Sequence, residues 1–139
     1  MVTINDSSIR SNIYESVYDL INNDKSGYGS SSEPSLYGGH PDWDSCSFPN
    51  IIINPIEVDE SDYTIDTNRS VSNKTVVVVI EIFTKKNKDL DIIADGVGGS
   101  LKTNIPGLFI VNTSEDNGVV FPNEMKIKMK TMTFTFMRR

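Results

Sequence analysis

Thr75-Val-Val-Val-Val-Ile-Glu-Ile-Phe-Thr84 decides the fold class. So dense a run of β-branched residues reads as a β-strand, and its two sides differ. Val76, Val78, Ile80 and Ile82 make one side wholly apolar, whereas Val77, Val79, Glu81 and Phe83 include a carboxylate. Side chains alternate between the faces of a pleated sheet. The even face is therefore expected against helices, and the odd face less deeply buried.

Two amphipathic stretches can supply those helices. Ile9, Ile13, Val17, Leu20 and Ile21 recur with a 3.6-residue period and predict a helix over 8–22, with Asp6, Ser7 or Ser8 as its cap. Leu90, Ile93, Ala94, Val97 and Leu101 predict a second over 89–101, whose positive N-terminal end suits Asp89 and Asp91. Gly96, Gly98 and Gly99 each cost about 1 kcal/mol relative to Ala, so its second half needs tertiary support or close packing.

Around these elements, Phe48-Pro-Asn-Ile-Ile-Ile-Asn-Pro55 predicts a short strand at 51–53. Residues 56–69 carry Glu57, Asp59, Glu60, Asp62 and Asp66 against Arg69, and read as an exposed acidic connection with at most a short strand at 63–65. After Pro106-Gly107, a short strand is expected over 108–111 and a turn over 114–118. The stretch 124–136 alternates, but its apolar phase shifts from Met125, Ile127 and Met129 to Met132, Phe134 and Phe136. A bulge near Lys130-Thr131 would restore one face. The element order predicts one α+β domain, a mainly antiparallel sheet packed by two helices.

Residues 23–47 are rich in Gly, Ser, Pro and Asp and read as a long loop, yet they hold Tyr28, Leu36, Tyr37 and Trp43. Loops of this length in compact domains are usually functional. This one is expected to be ordered mainly by a neighbouring subunit or another protein of the same assembly, with Tyr28, Tyr37 and Trp43 as anchors.

The chain has 139 residues, 37% apolar and 23% charged, which suits one globular domain. A net charge of −6 disfavours non-specific capture of nucleic acid by the whole surface. A lone Cys46 excludes an internal disulfide and a CxxC zinc site, and a lone His40 excludes a histidine-built metal cluster. No apolar leader opens the sequence, and the longest apolar run, 76–80, is far short of the roughly 20 residues that span a bilayer. A soluble chain made in a cytoplasm is expected. The acceptor patterns at Asn68, Asn73 and Asn112 read as polar loop sequence.

No motif specifies a reaction. His40, Asp42, Asp44 and Cys46 alternate as ligands might, but Gly-Gly-His-Pro-Asp is ordinary turn chemistry with no second cluster to close a shell. A hydrolytic triad has only His40 as base, and no G-x-S-x-G elbow occurs. Gly96-Val-Gly98-Gly99 falls inside a helical stripe, where a dinucleotide fingerprint does not lie. Catalytic residues, metal and cofactor are all expected to be absent. Lys126, Lys128 and Lys130 share one strand face. They read either as a basic stripe facing a phosphate backbone or as a solvated face paired with Glu81 across the sheet.

The succession of elements resembles the tail terminator or tail-completion proteins of long-tailed bacteriophages, which cap tails or join them to heads. The resemblance runs through helix 8–22, the Gly/Pro loop ending in an aromatic and Phe48-Pro49, strand 51–53, the acidic loop and strand 75–83 with its Ile-Glu-Ile-Phe ending. It continues through Leu90-Asp-Ile-Ile-Ala-Asp95 and the terminal Thr131-Met-Thr-Phe-Thr-Phe136. It implies a homo-oligomeric ring, usually a hexamer, at the head-proximal end of a tail. Its partners would be a tail tube protein and a head-completion or connector protein, and DNA would pass through the channel without sequence-specific binding. It implies a virion location, no membrane, no enzyme activity and no cofactor. In such a ring Asp59, Glu60 and Asp62 are expected to be exposed at an interface or the channel, Glu81 to face the channel or the next subunit, and Lys126, Lys128 and Lys130 are candidates to face the channel. Other readings are a different neck or baseplate subunit, or a small cytoplasmic ligand-binding or enzymatic domain with its pocket beneath loop 23–47.

Overall fold

The computed structural model describes residues 6–39, 41–43, 45–66, 69–102, 105–121 and 126–138, and only the backbone for Asp6, 61–66 and 69–73. Helix α1 (Ile9–Asp24) and helix α2 (Asn87–Leu101) lie on one face of a six-stranded sheet. The strands are β1 (Ser35–Tyr37), β2 (Asn50–Ile53), β3 (Glu57–Asp66), β4 (Arg69–Thr84), β5 (Leu108–Val120) and β6 (Ile127–Arg138). They run in the order β1-β2-β4-β6-β5, and β3 pairs with β4 as well. Only β1 and β2 are parallel. This is the α+β architecture expected.

Both helices bury the stripes read from the sequence. Ile13, Val17 and Ile21 of α1 and Ile93, Val97 and Leu101 of α2 are fully buried, against Ile51, Ile53, Val78, Ile80, Ile82 and Phe134 of the sheet. Leu20 packs at the margin. Ser8 occupies the cap position of α1 without a side-chain cap bond, its carbonyl instead accepting from Ser11 Oγ at 3.1 Å. The even residues 76–82 of β4 are buried against the helices, as expected.

Four expectations are corrected. The acidic stretch is no connection: β3 pairs antiparallel with β4 from Glu57↔Val77 to Asp66↔Arg69. Backbone bonds hold it, and carboxylates are tolerated because it is an edge strand, where charge blocks unwanted pairing. The turn expected at 114–118 is the middle of β5, a strand of 13 residues laddered along β6. The bulge lies in β5, where Val111 is the extra residue between Ile110↔Phe136 and Asn112↔Thr135; the β4–β6 register runs unbroken. The phase shift of β6 has another cause. Its even residues meet the helices, whereas Ile127 and Met129 join Ile52, Phe83, Tyr37, Trp43, Phe48 and Val120 in a second, smaller core on the opposite face.

Candidate assembly surfaces

The large side chains described in loop 23–47 pack within their own chain, where the sequence pointed to a neighbour as what chiefly orders the loop. Its large residues have partners at home, so the loop has apolar surface enough to offset its ordering. Leu36 in β1 packs against the main core. Trp43 stacks on Phe48 at 5.8 Å and meets Phe83 edge-on at 5.0 Å. Tyr37 joins the same small core, and its hydroxyl accepts from the Ser47 amide at 3.4 Å. Tyr28 goes to the helix side, where its hydroxyl meets Ser100 Oγ at 2.7 Å while Ser100 donates to Asp24 Oδ2 at 2.8 Å. Burial pushes the Tyr28 phenol up, and the Ser100 bond pulls it part of the way back.

Tyr28 explains one of the three glycines of α2. A Cβ on Gly96 would run into the Tyr28 ring. Ala gains about 1 kcal/mol in helix propensity, but overpacking costs about 1–3 kcal/mol, so Gly96→Ala is expected to be a net loss. Urea unfolding checks this, and in a Tyr28→Ala background the same change is expected to stabilise. The link between an aromatic in a loop and a glycine many residues later had one sequence signal: a glycine amid a helical stripe demands a close neighbour.

Asp89, buried in the first turn of α2, is held by Ser31, whose hydroxyl donates to Oδ2 and whose amide donates to Oδ1 at 3.1 Å. The hydroxyl bond first, then the amide bond, hold its carboxyl below the ordinary aspartate value. A depressed folded pKa contributes stability above the unfolded value of about 4 and loses it as pH falls through the folded one. Asp89→Asn is therefore expected to flatten the loss of stability on acidification below about pH 4, measured by urea midpoints across a pH series.

The pairing expected between Glu81 and the lysines does not form. Glu81 lies opposite Ile52 and Thr131 on the face away from the helices, and its Oε1 accepts from Asn54 Nδ2 at 3.2 Å. Lys128 and Lys130 stand opposite Thr84 and Ile82, on the helix face. Face identity follows from register, and register places the lysines one residue out of phase with Glu81. Lys130 is buried, bound to Asp91 at 3.0 Å and Glu115 at 3.5 Å. Burial alone would lower its pKa, but the Asp91 bond and the two carboxylates outweigh that and raise it. Lys126 is exposed and Lys128 half-buried.

Among the described residues, the face away from the helices is covered only at the small core. Beyond it, three rows cross the sheet: Glu81-Thr131-Asp116, Val79-Thr133-Ser114 and Val77-Thr135-Asn112. Glu57 adjoins Val77 and Asp59 adjoins Thr75 at the margin; both are exposed, as is Glu60. The Asp62 side chain lies outside the described residues. No lysine or arginine stands in these rows. The outer edge of the sheet is equally distinctive: among the described residues, the exposed large apolar ones, Phe109, Val111, Val119 and Phe121, all belong to β5 or follow it directly.

An open cleft of about 730 Å³ lies between the end of α1 and α2, lined mainly by polar groups, among them Asn23, Asp24, Ser26, Asp95 and Ser100. It is a groove in the surface rather than an enclosed apolar pocket of the sort that holds small ligands. Among the described residues no group of three potential metal ligands converges, though His40 and Asp44 lie outside them. No described helix is long and apolar enough to cross a membrane.

No family model and no curated protein matches the chain. Among solved structures, it is similar to a chain of the virion of a native gene transfer agent particle. The TM-score is 0.52 at 14% identity, over 88% of this chain and 90% of that one. At that identity what is shared is the fold, and it is shared nearly end to end.

Proposed function

We propose that this chain is a structural subunit of a phage-like virion. It forms a ring, usually of six copies, at the head-proximal end of a tail, caps the tail tube and joins it to the head-neck complex. DNA passes through the ring. The observation that carries this reading is the near end-to-end likeness to a chain of a gene transfer agent virion. The shape supports it, since an uncovered sheet face and a long edge strand with apolar residues suit packing among neighbours. An acidic chain also suits a channel, because a duplex slides where clustered lysines would retain its phosphates. Such a subunit acts by assembly and needs no catalytic group or cofactor.

The test is to image particles assembled without this chain. Tails of abnormal length, or tails detached from heads, are expected, with density missing at the junction. Normal junctions with density missing at the baseplate would reassign the chain to another tail position, and unaltered particles would end the virion reading.

A further inference from the structure

Charge is unevenly placed along β4. Where the strand leaves the sheet toward α2, Lys85, Lys86 and Lys88 are exposed. Lys128 stands opposite Thr84, and exposed Lys126 precedes it. The carboxylates close by are engaged, Asp89 by Ser31 and Asp91 by Lys130, with Asp42 on the neighbouring loop. At the far end of β4, β3 carries Glu57, Asp59, Glu60, Asp62 and Asp66, against Arg69 and Lys74 on the facing arm. Glu57, Asp59 and Glu60 are exposed.

That acidic end is also a projection. The β6 ladder stops at Thr75↔Met137, so residues 69–74 pair with β3 alone and form a two-stranded ribbon about 20 Å long. A ribbon without a third strand is marginal in water and gains from lying against another surface. The opposite end of the same chain carries the complementary charge.

We propose that the acidic β3–β4 ribbon of one copy docks on the lysine-rich end, Lys85, Lys86, Lys88, Lys126 and Lys128, of the next copy. This contact rests on the ring-subunit reading above and names the surfaces that join its subunits. Because the two patches differ, the contact is heterologous and repeats from copy to copy, which is the geometry that closes rings.

The experiment is sedimentation of the full chain in four forms: wild type, K85E/K86E/K88E, E57K/D59K/E60K, and the last two mixed in equal amounts. Each triple variant alone is expected to weaken association by more than about a hundredfold, because like charges would then meet. The mixture is expected to regain the wild-type mass, as every reversed patch finds a complementary one. A chain carrying all six changes is expected to do the same, which decides the matter even if one triple variant folds poorly by circular dichroism. Wild-type mass in both triple variants, a wild type that stays monomeric, or a mixture of folded variants that fails to associate overturns the proposal. So does a K85E/K86E/K88E chain of normal mass that has lost retention of duplex DNA at low salt, since the lysines would then serve phosphate. Rings indifferent to these charges remove this contact and leave the virion role standing. Charge-swapped association together with unaltered particles does the reverse.

Discussion

Phe134→Ala is expected to cost about 3–5 kcal/mol, a large part of the roughly 5–15 kcal/mol that holds a domain of this size together. Phe134 is fully buried on β6, opposite Val78 on β4 and Thr113 on β5, with the Phe136 ring 6.4 Å away. Both neighbouring strands fix its surroundings, so the cavity has little means of collapse. Urea unfolding should show a lower midpoint at unchanged slope. Val79→Ala, on the uncovered face of β4, is the control and is expected to cost less than about 1 kcal/mol. Equal costs at the two positions would mean that the uncovered face is as tightly packed as the helix face.

Trp43→Ala is expected to destabilise the isolated chain by about 2–3 kcal/mol, through lost area and two aromatic contacts worth about 0.5–1.5 kcal/mol each. Association per folded subunit should stay as it is, because the ring lies against Phe48 and Phe83 of its own chain. This reverses the expectation from sequence, where an aromatic in a polar loop suggested a partner. Trp43 is the only tryptophan, so its fluorescence reports the small core directly. An unchanged melt with weakened association would return Trp43 to an interface.

The helices and the buried face of β4 were legible because their signals are local: a stripe or an alternation is complete within one segment. β3 and β5 were not. Asp, Glu, Ser and Asn have low strand preference, and these segments become strands only by laddering on β4 and β6. Asn112-Thr-Ser-Glu-Asp-Asn-Gly118 is rich in turn formers, and the fixed edge of β6 overrides them. The shift in β6 was visible but misassigned, since alternation alone does not say that both faces of one strand are covered at different points along it. Of the surfaces, the exposure of Asp59 and Glu60 could be read in sequence. The lysines could not, because their distance from Glu81 depends on a register set by strands far apart in the chain.

β4 passes through three surroundings in one continuous strand. Residues 69–74 pair on one side only, 75–77 are flanked by β3 and β6 with helices over one face, and 80–83 are flanked by β2 and β6 at the end of the sheet where the small core covers part of the other face as well. Opening free energies track such cover, so backbone amides should exchange with solvent fastest in the first part and slowest in the last. A strand graded in this way joins a rigid body to an arm that can fray and reform without disturbing it. In the ring proposed above, subunits would close on one another by adjusting their arms while their cores stay folded.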